Sequence, residues 1–76
     1  RQIGEFLDAR PEISRVISLI TLQLGNEVMV SVQAHMREES NVRALSDQIN
    51  AVERAMKQAF PEVRWSFFEP DFKPIA

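Results

Sequence analysis

His35 is the only histidine in a chain of 76 residues that contains no cysteine. Imidazole is the commonest metal-ligating side chain, so any divalent metal site here must be built from His35 and carboxylates. Glu69 and Asp71, on either side of Pro70, are the oxygen donors best placed to join it. Each of the three also has an ordinary reading. A lone histidine lacks partners for a site that generally takes three or four protein ligands, and reads as solvent-facing. Acids flanking a proline make a common polar strand exit. The absence of cysteine removes thiolate ligands and thiol nucleophiles, and it fits a reducing compartment.

Other candidates weaken on inspection. Glu38 and Glu39 are adjacent acids, but a calcium loop needs several regularly spaced oxygens and a glycine, so they read as a solvated helix start. Met29, Met36 and Met56 could hold a soft metal, yet methionines at strand and helix spacing usually fill core gaps. Met36 and Met56 fall at core positions, and Met29 lies on the opposite strand face. No phosphate-binding glycine loop, paired histidines or serine elbow is present. The chain therefore reads as a non-enzyme with no required cofactor. An acylphosphatase-like activity on a similar fold would need a phosphate-cradling loop that the sequence lacks.

The formal charge is −2, from nine Lys plus Arg against eleven Asp plus Glu. The basic residues are scattered, so no nucleic-acid footprint is expected. No apolar run approaches the roughly 20 residues that cross a bilayer. At 76 residues the chain reads as one domain, residues 1–76, and its start at Arg1 suggests a piece cut from a longer protein that could carry membrane spans.

The elements that must position these residues follow from periodicity. Ile3, Phe6 and Leu7 fall at helical spacing before Pro11, which disfavours helix at Arg10. Val16 to Leu24 is β-branched and aliphatic, and Gly25-Asn26 supports a tight hairpin turn. Beyond it Val28, Val30, Val32, Ala34 and Met36 alternate with Met29, Ser31, Gln33 and His35, the period of a half-buried strand. Ser40 or Asn41 can cap a second helix, whose stripe is Val42, Leu45, Ile49, Val52, Met56 and Ala59. Glu53 and Lys57 are expected to pair on its far side. Phe60-Pro61 ends the helix, and Val63 to Glu69 reads as a third strand. The order α-β-β-α-β implies an α+β fold, a three-stranded sheet with two helices on one face.

A chain this short hides only about 60% of its unfolded surface and has no disulfide to compensate. The third strand carries Trp65 and Phe67 on one face, with Ser66 and Phe68 on the other. An apolar patch on the uncovered face marks an interface, so Trp65 and Phe67 are candidate homodimer contacts. The alternative is that Phe72 to Ile75 fold back over them.

The stretch Val16 to Gly25, the strand Val28 to Ala34, the helix stop Phe60-Pro61-Glu62-Val63 and the closing Phe67-Phe68-Glu69-Pro70-Asp71 resemble the C-terminal cytoplasmic domain of cation diffusion facilitators. The resemblance runs from about Ile13 to Asp71. It implies a ferredoxin-like, metallochaperone-like fold that forms a homodimer on the cytoplasmic side of a membrane, beneath the transmembrane domain of a zinc-like divalent metal transporter. It also implies divalent metal such as zinc at the dimer seam. Relatives often carry histidine where this chain has Gln23 or Gln33, another near Ser46, and acid or histidine ligands around Phe67 and Glu69. Only Glu69 matches, so the resemblance implies a depleted, weak metal site. The competing expectation is a free-standing ferredoxin-like module that binds a metal or small molecule.

Overall fold

The structure is a computed structural model that describes residues 2–37 and 41–71. Its elements are α1 (Gln2–Asp8), β1 (Ile13–Leu24), β2 (Glu27–Met36), α2 (Val42–Ala59) and β3 (Val63–Asp71). The sheet order is β1-β2-β3, with β1 antiparallel and β3 parallel to β2. Parallel neighbours cannot be joined by a hairpin, and α2 supplies the crossover between them.

The β1–β2 connection has only two residues, because Leu24 already pairs with Glu27. Gly25 takes a φ of 64° while Asn26 does not have a positive φ. A positive φ at the first central residue alone is the type II′ pattern, which glycine adopts without steric cost. The Gln23 amide donates to the Gly25 carbonyl at 2.7 Å and braces the turn.

Period-2 alternation holds through β2, where Val28, Val30, Val32, Ala34 and Met36 are all buried. β1 departs from it. Ser14 and Ile17 are extra residues, each inserted at a break in register with β2. These two bulges put Ile13, Val16 and Leu19 on one face at intervals of three. This spacing hides the strand's beginning from a period-2 reading, and β1 starts at Ile13 instead of Val16. A third irregularity, at Arg64, falls between the pairings Val28 with Val63 and Met29 with Trp65.

Both helices cover one face of the sheet. Leu7 from α1 and Val52 and Met56 from α2 are fully buried against Val28, Val30, Val32, Ala34 and Val63. Each such side chain contributes about 1.5–3 kcal/mol of burial free energy. The rings of Phe6 and Phe60 meet edge to face, 5.6 Å between centroids, and tie α1 to the end of α2.

Asn41 is the cap of α2, its Oδ1 accepting the Ala44 N–H at 2.8 Å. The alternative cap Ser40 and the acids Glu38 and Glu39 lie outside the described residues. The ends of the α2 stripe do not join the core: Val42 is 80% exposed and Ala59 is exposed. Periodicity marks a helix face, but the packed neighbours decide how far along it burial extends. Glu53 also differs from expectation. Its carboxylate accepts a hydrogen bond from the Ser66 hydroxyl at 3.1 Å, so it faces β3 and not the far side of the helix.

Candidate functional site

The face of the sheet opposite the helices is open among the described residues, and the strand register arranges it in rows. Leu22, Met29 and Trp65 form one row and Ile20, Ser31 and Phe67 the next. Ser18, Gln33 and Glu69 follow, and Arg15, His35 and Asp71 make the last. The face therefore has an apolar end near the hairpin turn and a polar end where β2 and β3 finish.

At the apolar end the large side chains stay in contact with water. Ile20 and Phe67 are each 58% exposed, Leu22 47% and Trp65 42%. Trp65 and Phe67 do share this face, as their spacing implied, while Phe68 turns to the helix side and packs on the core. The Arg64 guanidinium sits 5.6 Å from the Trp65 ring centre and also pairs with Glu27 at 3.2 Å. A cation thus lies over one ring of the patch, at its β3 edge. Residues 72–75, the alternative cover for Trp65 and Phe67, lie outside the described residues.

Ile20 and Leu22 belong to this patch and were missed as interface candidates in the sequence. The signal for them is the tight turn. Once Leu24 faces Glu27, counting back in steps of two places Leu22 against Met29 and Ile20 against Ser31.

At the polar end His35 Nε2 lies 3.5 Å from Asp71 Oδ2, with side chains 22% and 45% exposed. The contact is an ion pair only when the imidazole is protonated. Glu69, exposed and one row back, shares the face. The three candidate donors therefore sit on one surface, yet among the described residues no group of three or more His, Asp or Glu is close enough to hold a metal ion. Arg15, across the strand pair from His35, brings a positive charge that opposes a cation there. The positions that carry ligands in the resembled family are dispersed. Gln33 is next to Glu69, Gln23 is on the helix side near the turn, and Ser46 is an exposed residue of α2.

Below the sheet end, Arg10 makes two hydrogen bonds to the Glu12 carboxylate, at 2.8 and 3.0 Å. They hold the Glu12 carboxyl below the usual carboxylate range, against the opposing effect of burial. The Glu12 carbonyl accepts the Arg37 N–H at 3.0 Å and fastens the α1–β1 connection to the end of β2.

With this geometry in hand, the fold can be placed among known proteins. No family model matches the sequence, and no curated protein matches it at the significance required. Solved structures do match. The MamM CTD in its copper form aligns with a TM-score of 0.84 at 17% identity, covering 99% of this chain and 82% of that one. A zinc form of a single-residue variant aligns at 0.82 and 18% identity, covering 97% and 81%. A manganese form of another variant aligns at 0.82 and 18% identity, covering 95% and 91%. These neighbours are C-terminal cytoplasmic domains of a cation diffusion facilitator. The α-β-β-α-β chain thus has the ferredoxin-like fold of the MamM CTD. Among the described residues no helix is long and apolar enough to cross a membrane.

Proposed function

We propose that this chain is the cytoplasmic C-terminal domain of a cation diffusion facilitator, where it pairs transmembrane units and regulates transport of zinc-like divalent metals. The observation that carries this reading is the alignment of nearly the whole chain with the MamM CTD. The sequence resemblance from Ile13 to Asp71 points the same way. On this reading residues 1–76 are one domain of a longer transporter, on the cytoplasmic side of the membrane, and its role is regulation and not catalysis.

Homodimerisation through Trp65 and Phe67 is supported by their exposure on an open sheet face in a chain without disulfides. Sedimentation equilibrium is expected to give a dimer mass that a Trp65→Ser, Phe67→Ser double variant reduces. A native mass that stays monomeric into the high-micromolar range would sink the dimer.

The residues fit a divalent metal only in part. His35 and Asp71 offer two donors and Glu69 a more distant third, fewer than a closed zinc site takes. A second copy across a two-fold axis doubles the donors at the seam. Binding is therefore weak, and the dimer forms without it. Calorimetric titration with zinc should give weak, non-stoichiometric binding, weaker still for His35→Ala. Tight stoichiometric binding overturns the weak site, and equal binding in both proteins removes His35 from it.

A further inference from the structure

The sheet has two edges, and they are protected unequally. An edge strand exposes unpaired backbone N–H and C=O groups, and proteins blunt such edges with charges, prolines and bulges. The β3 edge carries Arg64, Glu69, Pro70 and Asp71 and an irregularity at Arg64. The first half of β1 carries Arg15 and the bulges at Ser14 and Ile17. From Ser18 to Leu24, the sequence SLITLQL has none of these devices. Its register with β2 is regular throughout, and residues 20–24 are all exposed. The helix side of this stretch is only partly covered, with Leu19 packed against the core and Thr21 and Gln23 exposed. An open groove of about 610 Å³ runs beside it, lined by Ile3, Leu19, Thr21, Gln23 and Phe60.

We infer that Ser18–Leu24 is a strand-pairing surface whose partner is the same segment of a second copy, antiparallel across a two-fold axis at Thr21. The argument for a second copy is the self-complementarity of the segment. Pairing it with itself about Thr21 sets Thr21 against Thr21, a favourable cross-strand pair. Ile20 then faces Leu22, and Leu19 faces Gln23. No charge is opposed or buried anywhere in the seven residues. The Ile20 and Leu22 side chains of both copies close together on the open face, in the rows of Phe67 and Trp65. Outward-pointing backbone groups on alternate residues gain the partners that the monomer denies them.

This contact uses the edge and not the open face, so it stands whether or not Trp65 and Phe67 form a dimer seam. Thr21 separates the two, because its side chain projects to the helix side of the sheet. The test measures amide hydrogen exchange and sedimentation of the 76-residue chain from micromolar to millimolar concentration, for the native protein, Thr21→Lys, Thr21→Glu and an equimolar mixture of the two variants. Alternate amides within residues 18–24 are expected to slow as the native concentration rises. Each variant alone, with like charges facing across the axis, loses this slowing and the associated mass. The mixture recovers both, which a folding defect would not do. The inference is overturned if exchange in residues 18–24 is independent of concentration, if either variant associates as the native chain does, or if the mixture fails to recover. The Trp65→Ser, Phe67→Ser double variant reads the face contact separately and should retain the slowing at residues 18–24.

Discussion

The two faces of one sheet meet opposite fates. On the helix side Val30 and Val32 of β2 are 0% and 2% exposed. On the open side, Ile20 and Phe67 flank Ser31 between those two valines in sequence and keep more than half their surface in water. Both faces carry large apolar side chains, so composition does not separate them. The difference lies in what covers each. Folding brings α1 and α2 onto one face and leaves the apolar side chains of the other in contact with water.

The sharpest way to break that comparison is to truncate one residue on each face. Met56→Ala, in the covered core, should cost about 2–5 kcal/mol from lost burial and the cavity left behind. Phe67→Ala should cost under about 1 kcal/mol in dilute monomer, in line with exposed substitutions. Urea unfolding at low protein concentration measures both. Equal costs would mean that the open face is covered within the chain itself, and the contrast between the faces would fail.

A smaller effect probes the cover. α2 supplies two of the fully buried residues, and its first turn is held by the Asn41 side chain. Asn41→Ala should lower stability by about 1 kcal/mol, with Asn41→Ser close to native. An unchanged midpoint for Asn41→Ala would show that the helix is held by packing alone.

The smallest expected effect is in the acid limb. Glu12 has its carboxyl held down chiefly by the Arg10 hydrogen bonds. A depressed carboxyl contributes stability above its unfolded value, near 4.5, and loses it as pH falls through the folded value. Native protein and Glu12→Gln should therefore differ above that range and converge below it in thermal melts. A difference that persists at low pH would assign the loss to packing instead of charge.

Much of this architecture is legible in particular residues. The alternation from Val28 to Met36, the hairpin at Gly25-Asn26 and the helix stop at Phe60-Pro61 each correspond to the observed element, because each is enforced by local geometry. The opening of β1 is not legible, since the bulges at Ser14 and Ile17 replace period 2 with intervals of three. The candidate donors are found by type, as His35, Glu69 and Asp71. Which of the two acids meets His35 is not, because it depends on the parallel register of β3 against β2.

The sequence by itself therefore determined the elements, their order and the buried alternation of β2, since these follow from backbone period, capping and turn chemistry within a few residues. It also determined that metal ligands would be scarce, with one histidine and no cysteine. Only the tertiary structure decided that Arg15, His35 and Asp71 share a row, that Ile20 and Leu22 join the rows of Phe67 and Trp65, and that Ser18–Leu24 is an unguarded edge. Those juxtapositions come from strand order and register, which are settled by how the covered face packs and not by any short stretch of chain.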